Sequence, residues 1–408
     1  MHRLLICALA ILAGCYRPRA EGACTVHCDR LNAPACPFDL DCGADGLCFD
    51  DVECSLASDD GGVDANHRDG TFTDTSLGDC YTTVLLGKVC PMALRVGYTA
   101  AATIDTANDC GEKLQLGNGD MACLIASTSM VLENTIRILG PYPLVLYSRE
   151  PLVLPPTAVL DLKIGGAGVG VGCQLSPNGT AVVTSNGGGA GGTLAGAGGD
   201  GGAAAGGVAA AAPAAQIVNT LRGGCSGGRG SVGAGAAGGA GGLGGGALQL
   251  ISPQQVQILG HIDAWGGGGA GASGTVSSSA GGGGGGSGGL VAIDAPMVTF
   301  GAQSMVRAHG GGGGGGVQGS ATSTSGGPGS RIDGMSATKG VAVGTGCGDG
   351  GFGCSDNVLA GTSGNSATSA SAGAGGGAGG AGAIFVNTAM TTNLGAQHPL
   401  AISGPPAI

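Results

Sequence analysis

From residue 122 onward, short runs of alternating apolar and polar residues come in groups of three. Each group fills about 20 residues, the repeat length of a solenoid coil. The first group is ACLIAS (122–127), MVLENT (130–135) and TIRILG (135–140), and the second is LVLYS (144–148), PLVL (151–154) and AVLDLKI (158–164). ALQLIS (247–252), VQIL (256–259) and HIDAW (261–265) form the third, and LVAID (290–294), MVTF (297–300) and MVRAH (305–309) the fourth. AIFVN (383–387) opens the last, followed by a weaker TNLGA (392–396) and PLAIS (399–403). A period of two puts alternate side chains on one face of a strand. Three short strands per coil predict an all-β chain built as a parallel β-helix, with Val, Ile and Leu ladders as its core. The third and fourth groups align with Pro253 on Pro296 and with HIDAWGGGG on MVRAHGGGG.

Glycine tracts interrupt this repeat at one fixed point. They occupy 165–246, 266–289 and 310–382, each after the third strand of a coil, and the chain resumes a first strand at Ala247, Leu290 and Ala383. If the coils stack in register, all three tracts leave from one corner. Two arrangements are then open: independent flexible loops, as Gly- and Ser-rich stretches usually are, or polyglycine arms packed side by side as extended helices. The polar interruptions at 320–325 and 357–371 count against the second.

Composition narrows the function more than the fold. Of 408 residues, 92 are Gly, 11% are charged and 3% aromatic, against roughly 7% Gly and 25% charge in ordinary domains. Glycine buries no side chain, so a conventional core cannot run the whole length. Collagen is excluded, because no strict G-X-Y period exists. The net charge is −11 with no basic cluster, which argues against nucleic acid as a partner. No segment after the N-terminus is long and apolar enough to span a bilayer.

The N-terminus reads as an export signal. His2 and Arg3 precede an apolar stretch at 4–12, and LAGC follows at 12–15. Residues 1–14 are therefore expected to be a lipoprotein signal peptide, with Cys15 the lipidated residue and a membrane anchor. Tyr16, rather than Asp, points to the outer membrane or cell surface.

Fourteen further cysteines divide evenly: Cys24, Cys28, Cys36, Cys42, Cys48 and Cys54; then Cys80, Cys90, Cys110 and Cys123; then Cys173, Cys225, Cys347 and Cys354. Even counts predict disulfides closed within each segment, with connectivity open. The first cluster, C-x3-C-x7-C-x5-C-x5-C-x5-C, lacks the paired knuckles of a zinc ribbon, and His27 reads as a surface residue. Residues 15–58 are thus a lipid-anchored cysteine-rich module, 59–79 an acidic linker, 80–121 a capping lead-in, and 122–408 the coils with their tracts. Asp64, Asn66, Asp69 and Gly70 do not fit a calcium loop, since Gly falls one place late and no Glu closes it.

The lipobox at 12–15, the CPFDLDCGADGLC module at 36–48, the acidic stretch at 59–74 and the runs from Ile104 through Cys110 and Cys123 to Leu146 together resemble exported lipoproteins common in myxobacteria. That resemblance implies architecture and location rather than an activity.

Candidate chemistry is sparse. No nucleophile elbow, zinc-protease helix or Walker loop occurs, and the six His, at 2, 27, 67, 261, 309 and 398, show no ligand spacing. His261 and His309 read as surface residues. Parallel β-helices include polysaccharide lyases and hydrolases, so Asp161, Lys163, Asp263, Asp294, Arg307, Arg331 and Asp333 are the charges an enzyme would use. One charge per strand is the pattern of a solvated face, and neighbouring carboxylates are not expected. The expectation is a non-enzymatic surface protein with a structural or adhesive role. It needs no cofactor or metal, and extracellular polysaccharide or other surface proteins are its candidate partners. The alternatives are a β-helix lyase or hydrolase and a binding subunit of an envelope complex.

Overall fold

The computed structural model describes residues 41–42, 48–49, 80–170, 173, 186–205, 208–231, 236–276, 278–329, 335–355, 358–393, 396–398 and 402–403. The expected signal peptide, Cys15, Cys24, Cys28, Cys36, Cys54, the acidic linker, Arg331 and Asp333 lie outside them. The chain divides into two units, Met1–Asp74 and Thr75–Ile408. Within the first, Asp41–Cys42 pairs antiparallel with Cys48–Phe49.

The second unit contains no helix among the described residues; its backbone is strands and extended arms. The chain visits three parallel sheets in strict rotation. Sheet one holds Met121–Ser127, Leu144–Ser148, Ala247–Ile251, Leu290–Asp294, Ala383–Asn387 and Ile402–Ser403. Sheet two holds Tyr98–Thr99, Met130–Val131, Leu152–Leu154, Gln255–Ile258, Met297–Phe300 and Met390–Asn393. Sheet three holds Thr103–Asp105, Thr135–Leu139, Val159–Asp161, His261–Asp263, Met305–Arg307 and Ala396–His398.

Register follows the alignment of the repeats: Ala247 pairs with Leu290 and His261 with Met305. Identical positions therefore stack. Leu144 lies between Cys123 and Leu248, and the ladder continues through Val291 to Ile384. Leu154, Ile258 and Phe300 make the matching ladder in sheet two, and Ile136, Leu160, Ile262 and Val306 in sheet three. All of these side chains join one core. Each fully buried aliphatic contributes about 1.5–3 kcal/mol relative to exposure.

Two features depart from the sequence reading, and a third gives the edge of sheet one. The coils begin earlier, because Tyr98–Thr99 and Thr103–Asp105 already pair with sheets two and three. Glu112–Gln115 closes the edge of sheet one antiparallel to Met121–Ser127, which ends the ladder. Ile402–Ser403 pairs with Phe385 and Val386, so it opens a new turn in sheet one instead of closing sheet three. Sheet one is also covered on both faces. Leu124, Val145, Tyr147 and Ala292 lie under Val89, Leu194 and Leu221, which explains why its strands read as nearly continuous apolar runs.

The glycine tracts are packed arms. Leaving sheet three, Ala264 still donates to Arg307 O and Gly266 to His309 O. Further out, Gly269 donates to Gly312 O and Ala272 to Gly315 O, so the same two chains stay paired while the step lengthens to three residues. Returning chains do the same: Gly239, Gly242 and Gly245 donate to Gly281, Gly284 and Ser287, ahead of the strands at Ala247 and Leu290. A step of three is that of a threefold extended helix of the polyproline II kind.

Arm 281–289 shows the consequence. Residues 281, 284 and 287 donate to 231, 228 and 225; residues 282, 285 and 288 to 374, 377 and 380; residues 283, 286 and 289 to 270, 267 and 264. Each face of the helix thus serves a different partner. Arms 281–289, 309–316 and 373–382 bond to one another at the centre, and a ring of arms closes around them. In order, the ring is 187–192, 223–231, 237–246, 264–273, 323–329, 337–343, 348–353, 359–367 and 196–203. The Ala-rich segment 209–216 lies outside, with Gly201 donating to Ala210 O and Gln216 to Leu194 O.

Close approach sets the composition. A Cβ at Gly314 would lie 2.0 Å from Ala270 O, and one at Gly376 2.0 Å from Gly283 O. Central arms therefore need glycine wherever a neighbouring carbonyl approaches this closely: 310–316 is glycine throughout, while 281–289 admits Ser287 and 373–382 admits Ala374, Ala378 and Ala381. Ring arms need it toward the centre and toward their neighbours in the ring, as at Gly351 and Gly199 against Thr362 O, but not on the outer face, so the polar interruptions at 320–325 and 357–371 do not break the packing. In arm 359–367, Gly361 and Gly364 point to the centre, while Thr362, Ser363, Asn365 and Ser366 are exposed. Ser323, although buried, donates its hydroxyl to Ala272 O and Gly315 O.

Gly314→Ala and Gly376→Ala are each expected to cost about 1–3 kcal/mol through overpacking, lowering the Tm. Gly117→Ala, which meets open space, should not. Fluorescence of the single tryptophan, Trp265, which is buried, reports the transition. Unchanged Tm values for both central variants would contradict this packing.

Candidate functional site

Most of the expected charges gather on the outer side of sheet three. Arg137, Asp161, Asp263 and Arg307 are successive partners across four strands. Asp161 and Asp263 thus stand side by side, about 4.8 Å apart along the ladder, although neighbouring carboxylates were not expected. Aligning AVLDLKI on HIDAW would have revealed the pair.

The face is only partly solvated: Asp263 and Arg307 are buried, Asp161 and Lys163 half-buried, and Arg137 exposed. Arg307 Nε donates to Asp263 Oδ1 at 2.8 Å and its Nη2 approaches the same oxygen at 2.6 Å. Lys163 Nζ lies 3.0 Å from Asp161 Oδ2. Between these pairs sits Trp265, its ring 5.2 Å from Lys163 Nζ and 4.8 Å from Arg307 Cζ, within cation–π range. Arm 323–329 covers this end, since a Cβ at Gly329 would lie 2.6 Å from Trp265 Cβ and 2.8 Å from His309 O. His309 is accordingly buried rather than on the surface, and His261 is half-buried. Burial pushes the Asp263 carboxyl up, against the pull of Arg307. Arg307 and Asp263 form a buried ion pair across two strands, and the half-buried Lys163–Asp161 pair, within one chain segment, meets it through Trp265. Their carboxylates are held by cations, which leaves little freedom for proton transfer.

Asp294 is elsewhere, on the outer side of sheet one, and is fully buried. Its Oδ2 accepts from Gln249 Nε2 at 2.7 Å, and its Oδ1 from Asn387 Nδ2 at 2.9 Å and Val84 N at 3.1 Å. Gln249, Asp294 and Asn387 come from three successive coils, while Val84 belongs to the turn of hairpin Tyr81–Thr83 with Gly87–Val89. The carboxyl therefore fastens the lead-in segment to the coils. Burial pushes it up, only partly offset by these donors. Tyr81 beside it is pushed up to about 12 by burial and by the Asp294 charge. Gln249 Oε1 and Asn387 Oδ1 are buried without a partner.

Three disulfides staple the second unit: Cys80–Cys90, Cys110–Cys123 and Cys173–Cys225. They point to maturation in an oxidising, extracytoplasmic compartment. No disulfide joins Cys347 and Cys354, which were expected as disulfide candidates. Each has its own niche: Cys354 Sγ accepts from Gly310 N at 3.0 Å, and Cys347 packs on Ala367, Ala372 and Ala374. Burial pushes the Cys347 thiol up. The side chains of Cys42, Cys48 and His398 lie outside the description.

Among the described residues no group of three His, Cys, Asp or Glu converges as a metal site, and no helix is long and apolar enough to cross a membrane. Two open clefts lie away from the charged ladder. One, of about 410 Å³, is bordered by Met92, Leu94, Arg95 and Glu112. The other, of about 500 Å³, is bordered by Asn118, Gln216, Asn219 and Arg222. Compared with protein-family profiles, curated proteins and solved structures, the chain gives no significant match.

The raised Asp294 carboxyl has a definite pH signature. The native state holds this proton at higher pH than the unfolded chain, whose Asp titrates near 3.9. The associated stability is full below about pH 4 and lost as pH rises through the native value. Asp294→Asn keeps an acceptor for Val84 and can donate to the unpartnered amide oxygens. Wild type should therefore lose stability relative to the variant as pH rises from about 4 to 7. Denaturant unfolding across that range checks this, and parallel profiles would refute it.

Proposed function

We propose that this chain is a non-enzymatic surface lipoprotein, tethered at the outer membrane through Cys15. Its three-sheet winding is read as a parallel β-helix that carries the glycine bundle outward in a structural or adhesive role. The observation that carries this reading is the bundle: a large share of the chain is spent on straight-sided, hydroxyl-bearing and weakly charged surface, held rigid by backbone bonds. An enzyme has no evident use for such surface, whereas a protein that lies against a polymer or another cell does. The LAGC sequence at 12–15 and the disulfides support export.

Lipid labelling of cells tests the anchor. Wild type should incorporate fatty acid and enter the detergent phase, and Cys15→Ser should do neither. Detergent partitioning that survives the substitution would refute lipidation.

One observation favours a second reading, a polysaccharide hydrolase. Asp161 and Asp263 are partners on adjacent strands, whose backbone spacing of about 4.8 Å is of the order of the carboxyl separation of about 5–5.5 Å in retaining glycosidases. Their cations and burial weigh against it. Ectodomain incubated with pectin or alginate, with and without calcium, should leave chain length unchanged by size exclusion. Cleavage that disappears in Asp263→Asn would reverse the two readings.

A further inference from the structure

One side of the glycine bundle is formed by arms 337–343, 348–353 and 359–367 lying next to each other. Gly350 donates to Gly340 O and Gly353 to Ala337 O, while Thr362 donates to Phe352 O and Asn365 to Asp349 O. The middle arm turns its inner faces to the central arms, with Gly351 donating to Gly376 O and Gly313 to Gly351 O. Its remaining face looks outward, and on it sit Asp349 and Phe352, three residues apart.

Phe352 is 45% exposed in a chain with few aromatics. It is also held in place. Its N–H donates to Thr362 Oγ1 at 2.7 Å, and Lys339 Nζ rests 5.4 Å from the ring centroid. Lys339 is in turn bonded to Asp349 Oδ2 at 2.8 Å, and Asp349 Oδ1 accepts from Ala342 N at 2.8 Å. Lys339 and the backbone hold the Asp349 carboxyl below the usual carboxylate range. The two charges cancel beside the ring, in a protein whose net charge is −11.

Beside it, Thr362, Ser363 and Ser366 are exposed along the neighbouring arm; the Thr362 hydroxyl is bonded to Phe352 N and O, and Ser366 Oγ accepts from Ala203 N. Positions three apart on such an arm recur about every 9 Å (three residues at about 3.1 Å each). An exposed aromatic ring beside these hydroxyl-bearing residues, on a straight surface, matches a polymer with flat apolar ring faces and equatorial hydroxyls.

We infer that this side is a docking surface for a neutral, flat, β-linked polysaccharide, with Phe352 as the stacking platform. The inference rests on the surface-protein reading and names the partner class. Charge selects the occupant: Lys339, the cation beside the ring, is already paired with Asp349, and the protein's net charge repels a polyanion, while a neutral chain meets no such barrier. Polar ring-and-hydroxyl surfaces of this kind bind by stacking plus hydrogen bonds, with the aromatic as anchor.

Full-length protein in detergent would be titrated onto regenerated cellulose and chitin beads, and onto immobilised alginate as the anionic comparison. Retention on cellulose or chitin but not alginate is expected, with a loss of at least about tenfold in affinity in both Phe352→Ala and Phe352→Leu. The leucine variant keeps an apolar side chain without a ring, and unchanged Trp265 emission and Tm would show that both variants are folded. Wild-type strength in either variant, retention on alginate alone, or retention on no polymer would each overturn the inference. Lipid labelling at Cys15 is scored independently, so the anchored-protein reading stands or falls apart from this surface.

Discussion

Everything in the second unit follows from a hydrogen-bonded ladder that does not stop where the sheets stop. Two strands paired in sheet three leave the coil together as 264–273 and 309–316, and neighbouring return arms re-enter sheet one already paired. A buried N–H or C=O must be satisfied somewhere. Chains emerging about 5 Å apart can meet that demand at once by bonding to each other. The coil fixes the spacing and direction of the arms, and the arms supply donors and acceptors that solvent would otherwise have to provide.

That continuity offsets an unfavourable composition. Ordering glycine forfeits more backbone freedom than ordering any other residue, and the bundle has no side-chain core to compensate. What it has is proximity. With no Cβ in the way, backbones approach until carbonyls of one arm sit where a methyl group of the next would be, as at Gly283 against Ala240 O. Dispersion contacts and N–H···O bonds are then shared among arms on every side. The aliphatic ladders and Trp265 with its flanking cations hold the coil rigid, so the arms start from fixed points.

Much of the coil was legible in the sequence because a strand's period of two and a coil's repeat of about 20 residues both leave marks on side chains. ALQLISP on LVAIDAP gave the register that Ala247 and Leu290 adopt. The exit point of the tracts was legible for the same reason. The fate of the tracts was not: packing of glycine arms is written in the absence of side chains, and 281–286 or 310–316 looks alike whether solvated or surrounded. Polar residues at 362–366 seemed to break an arm, yet they mark which of its faces points outward. Burial of Asp263, Asp294 and His309 was equally hidden, because what covers them arrives from distant segments. The adjacency of Asp161 and Asp263 was available from an alignment of the second coil on the third, and the separation of Cys347 from Cys354 was not, since even cysteine counts suggest pairing whatever niche each sulfur occupies.

The threefold step of the arms has a genetic corollary. Adding one residue to an arm such as 281–289 would turn all that follows by about a third of a revolution and aim every donor at the wrong neighbour. Adding three would restore each face to its partner. Arm length in such a protein can therefore drift cleanly only in triplets of residues, that is, in blocks of nine bases.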